Sequence, residues 1–152
     1  MPQDLFNIAP VFYGMSMISK DSWLDYGYAL LIIAGSDGEV SDPELEWLTI
    51  NLSKALDVDE KIVAQWEEYD FEQEELYDVF ARIDSRTVAS FNKLLLYDAI
   101  RMSYADEEYA GDEREKVSEA ASILKLSKET TLAIEALVEH ERATDKLRSV
   151  IL

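Results

Sequence analysis

Ala34–Leu48 reads AGSDGEVSDPELEWL, and Tyr104–Val117 reads YADEEYAGDEREKV. The second stretch restates the first 69 residues later, counted from Asp37 to Asp106. Asp37, Glu39, Glu44 and Glu46 have their counterparts in Asp106, Glu108, Glu113 and Glu115. Each stretch follows an apolar run and leads into a charged, helix-forming one. An internal repeat of this kind fixes architecture first, because two copies of one supersecondary unit must share a core.

Working outward, the residues on either side read as helix. Pro occurs only at positions 2, 10 and 43, and nothing breaks the chain from Glu44 to Ala110. From about Asp21 to Ser36, Trp23, Tyr26, Leu30, Leu31 and Ala34 share one broad face, and Ile32 and Ile33 fill much of the rest. A helix apolar nearly all round belongs at the centre of a fold. Ser41 and Glu44 form a capping-box pattern, with Pro43 in the first turn where its missing N–H costs nothing. Leu45, Leu48, Leu52 and Leu56 give that helix its buried stripe. Ile62, Val63 and Trp66 mark a third helix, and Leu76, Val79, Phe80 and Ile83 a fourth. Val88–Ala105 repeats the central helix, Asp112–Leu124 repeats the capped one, and Ser127 caps a last helix. Leu56–Asp59 matches Leu124–Ser127 with a one-residue slip. The fold class expected is all-α: a pseudo-two-fold bundle of about seven to eight helices. One domain is expected over 21–152, with repeats at about 21–86 and 87–152, and an apolar segment over 1–20 packed on the bundle.

Composition narrows the function. The chain has 152 residues, a net charge of -18 and a pI near 4.2. Such a surface repels nucleic-acid phosphate and anionic lipid and favours cations or basic protein surfaces. The charge is uneven: Asp37–Glu75 holds 14 acids against two bases, whereas Lys125–Arg148 holds five of each. The acidic run from Glu67 to Glu75 reads either as a solvated face or as a docking patch for a basic partner. Without cysteine there is no thiolate chemistry. The single His140 excludes a di-iron carboxylate bundle, which needs Glu-x-x-His twice. No nucleophile–base pair or Gly-rich phosphate loop is visible, so no catalytic residue and no small-molecule substrate are expected. The start, MPQDLF, lacks a basic n-region. The longest apolar run, Tyr26–Gly35, falls far short of the roughly 20 residues of a membrane span. A cytoplasmic protein with no membrane insertion is expected.

The acidic turns admit two readings. Acids at a helix N-terminus are stabilised by the macrodipole, by about 0.3–1 kcal/mol each, which accounts for Asp42, Glu44, Asp112 and Glu113. Asp37 and Asp106 follow the end of the preceding helix, where the same dipole disfavours them. A hard cation would gather such carboxylates, since Ca²⁺ takes six to eight oxygens. The spacing is not that of an EF-hand. The expected ligands are Asp37, Glu39 and Glu44 from the first turn and Asp106, Glu108 and Glu113 from the second, for Ca²⁺ or Mg²⁺. The first turn is expected to be the better site, because Gly38 can take the left-handed conformation that ends a helix.

The succession of an apolar helix, A-x-x-D-G-E-x-x-x-x-E and a helix start, given twice, resembles the TerB-like family of tellurite-resistance proteins. Ala34, Asp37, Gly38, Glu39 and Glu44 match it closely. Ala105, Asp106, Glu108 and Glu113 match less closely, since Glu107 replaces the glycine. The resemblance covers roughly Asp21 to Leu137. It implies a pseudo-symmetric helical bundle with an acidic divalent-cation site, a link to tellurite and stress responses, and action through protein contacts. It implies no enzymatic activity. A J-domain activity would need His-Pro-Asp, and His140 is followed by Glu141 and Arg142. The alternative is a metal-independent acidic adaptor or scaffold module, whose acids serve capping, solubility and docking.

Overall fold

The computed structural model describes residues 20–106, 109 and 111–152. The apolar segment expected over 1–20 lies, but for its last residue, outside the described residues. Helix accounts for 79% of the described residues, and no strand occurs among them. The bundle is all-α. Its helices are α1 (Lys20–Ala34), α2 (Asp42–Glu46), α3 (Glu60–Glu68), α4 (Leu76–Ala81), α5 (Ser85–Ser103), α6 (Gly111–Ile123) and α7 (Lys128–Ile151). No helix among them is long and apolar enough to cross a membrane.

The two helices with the most apolar faces lie at the centre, as their sequence demands. In α1, Tyr26, Ala29, Leu30 and Ile33 are fully buried; in α5, so are Phe91, Leu95, Leu96 and Ile100. The two pack on each other, and Tyr26 meets Phe91 edge to face with ring centroids 5.1 Å apart. This is the favoured geometry for an aromatic pair. From α3, Trp66 is buried against α1 and donates its indole N–H to the Leu24 carbonyl at 3.0 Å. Arg82, just past α4, bridges Asp25 of α1 and Glu74.

After α2 the chain continues through a π-helical stretch (Trp47–Leu52) and a last α turn (Ser53–Ala55). The hydroxyls of Thr49 and Ser53 donate back to the carbonyls of Leu45 and Thr49. Such back-bonding accompanies local distortion of helices. Of the expected stripe, Leu48, Leu52 and Leu56 are buried and Leu45 is half-buried against the core.

Both repeats end their second helix the same way. Asp57 and Lys125 adopt left-handed backbone, with φ of 53° and 62°. Val58 N–H bonds the Ser53 carbonyl and Leu126 N–H bonds that of Ala121, each at 2.8 Å, while Asp57 and Lys125 N–H reach the Lys54 and Ser122 carbonyls. This is a Schellman ending made without glycine. Asp59 and Ser127 then cap α3 and α7. The slipped match between Leu56–Asp59 and Leu124–Ser127 is therefore one backbone motif used twice.

Candidate metal centre

The first acidic turn is built by local hydrogen bonds. Past the end of α1, Gly38 takes φ 98°, a conformation that costs glycine nothing. Asp37 Oδ1 accepts the Glu39 N–H at 3.1 Å, and both side chains are exposed. That bond accounts for part of what Asp37 does beyond a helix end. Ser41 then caps α2. Its Oγ accepts the Glu44 N–H at 3.3 Å, and Glu44 Oε1 accepts the Ser41 N–H at 2.9 Å. The capping box is complete.

A capping glutamate is ordinarily solvated, yet Glu44 is only 3% exposed, and so is Glu113 in the first turn of α6. They lie in equivalent positions of the two repeats, and their side chains hydrogen-bond each other. Two carboxylates can do this only with a proton between them. The Glu44 carboxyl is accordingly pushed up to about 8. Burial is the main cause, followed by the bond to Glu113. The Ser41 N–H pulls the other way, and the charges of Glu113 and Asp106 add to the rise. Asp106 ends a 3-10 turn (Tyr104–Asp106) that packs on α2, and it is half-buried.

Of the six expected ligands, Glu44 and Glu113 thus meet, and Asp106 acts on Glu44 through its charge. Asp37 and Glu39 face solvent, and Glu108 lies outside the described residues. Among the described residues, no group of three or more Asp, Glu or His is placed to hold a metal ion. Just before α6, buried Tyr109 donates to Glu135 at 2.7 Å, and Arg114 lies 4.2 Å over its ring.

No family model matches the sequence, and no curated protein does. Among solved structures, the chain is similar to the crystal structure of a tellurite resistance protein from Nostoc punctiforme. The identity is 26% and the TM-score 0.77, over 93% of this chain and 86% of that one. Its fold is TerB-like. The order of apolar helix, acidic turn and capped helix, met twice, is what the TerB-like resemblance rests on, and the shared fold spans it.

The core of this TerB-like bundle also holds a carboxylate that sequence reasoning passed over. Asp98 of α5 is 1% exposed. Its Oδ2 accepts the Tyr26 hydroxyl at 2.5 Å, while its Oδ1 has no hydrogen-bond partner among the described residues and lies 3.6 Å from an Arg101 nitrogen. Burial pushes its carboxyl up to about 6, against the pull of Arg101 and Tyr26. The signal was a lone Asp inside the apolar run Leu94–Ile100. Tyr28 and Tyr97, equivalent in sequence, part company: Tyr28 stacks on Tyr69 at 3.8 Å, while Tyr97 donates to Glu141.

Proposed function

We propose that this chain is a non-enzymatic TerB-like domain of the tellurite-resistance type, which binds a divalent cation where its two acidic turns meet and acts through contacts with other proteins. One observation carries the reading: the buried Glu44–Glu113 pair, one carboxylate from each repeat. Two carboxylates in hydrogen-bond contact away from water cannot both stay charged without a positive occupant between them. In its absence a proton is shared.

The donor set suits a hard cation that keeps part of its water. Mg²⁺ typically binds through one or two carboxylates and retains several waters, while Ca²⁺ demands more oxygens. Glu44 and Glu113 would supply the direct oxygens, and half-buried Asp106 would add charge beside them. Asp37 and Glu39, turned to solvent, would contribute at most through water.

The experiment is a thermal melt with and without millimolar Mg²⁺ or Ca²⁺ at constant ionic strength. A ligand that binds only the folded chain stabilises it by mass action, by about 2.7 kcal/mol at a hundredfold excess over Kd. The reading expects a rise in Tm that Glu113→Gln removes. An unchanged Tm would favour the second reading, a metal-independent acidic adaptor. That reading has its own support, because a shared proton already closes the pair.

A further inference from the structure

A second feature is a concavity that neither Glu44 nor Glu113 lines. It is an open trough of about 380 Å³ between the first acidic turn and the loop that leads from α3 to α4. Its apolar lining is Leu31, Val40, Leu45, Trp66 and Phe71, of which Leu31 and Trp66 are buried and the others half-buried. Its rim is acidic: Glu39, Glu67 and Glu72 are all exposed. Among the described residues no ion pair neutralises these three, whereas nearby Glu74 and Asp25 share Arg82.

The trough is held in shape. Tyr69 stacks on Tyr28 with planes 10° apart and donates to Glu74 Oε1 at 2.7 Å. Asp70 Oδ1 accepts the Glu72 N–H at 3.1 Å and turns the loop back. Phe71 lies against Gly35 so closely that a Cβ there would stand 2.4 Å from the ring. The loop is pinned to α1 at Tyr28 and to Gly35 just past its end, and its acids project from a fixed wall.

From this geometry we infer that the trough is a docking site for a basic partner protein. The partner would present a short segment with an apolar anchor flanked by Lys or Arg. The recess left by half-buried Val40, Leu45 and Phe71 takes the anchor, since an interface sets an apolar centre inside a polar rim. The unpaired rim selects the sign of the flanks. The stretch Asp37–Glu75, which supplies most of the trough, carries a net -12 of the chain's -18. Opposite charge across such an interface speeds encounter and rejects wrong partners. Nucleic acid and anionic lipid are repelled by the same rim.

Fluorescence anisotropy of a labelled peptide carrying two leucines flanked by lysine pairs tests this on the full chain. A serine-for-leucine peptide serves as its twin. Glu67→Lys with Glu72→Lys reverses the rim, and Glu115→Lys with Glu129→Lys makes the same charge change on α6 and α7. All four positions are exposed, so folding is spared, and circular dichroism verifies it. Rim reversal should weaken the leucine peptide roughly tenfold and the other pair should change it little. The serine peptide should bind roughly tenfold more weakly. NMR shifts should move at Val40, Leu45 and Phe71. Equal losses in both reversed proteins, or equal binding of the two peptides, would show diffuse attraction to an acidic surface and overturn the inference.

Discussion

Glu44 in the first turn of α2 and Glu113 in the first turn of α6 hydrogen-bond each other, each only 3% exposed. The relationship joins the two repeats at their acidic turns. It also makes stability depend on pH in a direction opposite to that of an ordinary paired carboxylate. The Glu44 carboxyl is raised from 4.5 to about 8, so across that range the folded chain holds a proton the unfolded chain releases. The stabilisation is fully present below about 4.5 and is lost as pH rises through about 8.

Glu44→Gln should therefore flatten the pH dependence of the melting temperature. The amide keeps an acceptor for the Ser41 N–H and gains a donor toward Glu113. The variant should match the parent near pH 5 and exceed it at pH 8.5, by about 2–4 °C per kcal/mol recovered for a chain of this size. Melts across that range measure it; parallel curves for the two proteins would contradict the shared proton.

Asp106 should matter more to cation binding than Asp37. The sequence alone expects the reverse, because Gly38 preorganises the first turn, and Gly38 does take its left-handed conformation. Yet Asp37 is exposed and bonds its own turn, while half-buried Asp106 acts on Glu44. Calorimetric titration of Mg²⁺ or Ca²⁺ should show a loss on the order of tenfold for Asp106→Asn and a smaller one for Asp37→Asn. A larger loss at Asp37 would restore the sequence expectation.

Lys125→Gly and Asp57→Gly should each stabilise the fold. A left-handed residue with a Cβ costs about 1–2 kcal/mol relative to its relaxed state, and glycine escapes most of this. Part of the gain is returned as unfolded-chain entropy. The net expected is about 0.5–1 kcal/mol per site, read from denaturant midpoints. Because both positions end the same motif, the two effects should be alike. A destabilisation at either would show that its side chain holds something the backbone does not reveal.

How legible was this in the sequence? The helices were, because the Pro and Gly of the described residues, Gly27 apart, fall at turns or helix starts and the apolar runs of Tyr26–Ala34 and Phe91–Met102 admit only a central place. Ser41, Pro43 and Glu44 announced the start of α2 through chemistry local to one turn. The repeat named the acidic turns. It did not say that Glu44 and Glu113 are buried together, since capping chemistry and burial call for the same residue. Nor did it separate them from Asp37 and Glu39, which local turn bonds point outward. Asp98 escaped notice because Arg101, three residues on, reads as an ordinary charge partner on a helix face, and Tyr26, which donates to it, lies 72 residues away.

Tyr26→Phe should destabilise the core by about 1–3 kcal/mol, the cost of removing the partner of a buried polar group. The ring and its contact with Phe91 remain, so the loss isolates the hydroxyl. Tyr26→Phe combined with Asp98→Leu should cost less than the sum of its parts, since the buried carboxylate leaves with its donor. Equilibrium denaturation of the four proteins measures the coupling, and strict additivity would deny the pair any role.

The most direct test of a cation site shared by both repeats is the stoichiometry of Mg²⁺ or Ca²⁺ binding. Isothermal titration calorimetry at fixed ionic strength should find one ion per chain. Glu44→Gln and Glu113→Gln should each abolish that binding alone, because each removes half of the buried pair. Two ions per chain, or one lost with only one of the substitutions, would mean that the turns act separately and that the Glu44–Glu113 contact is a structural proton bridge.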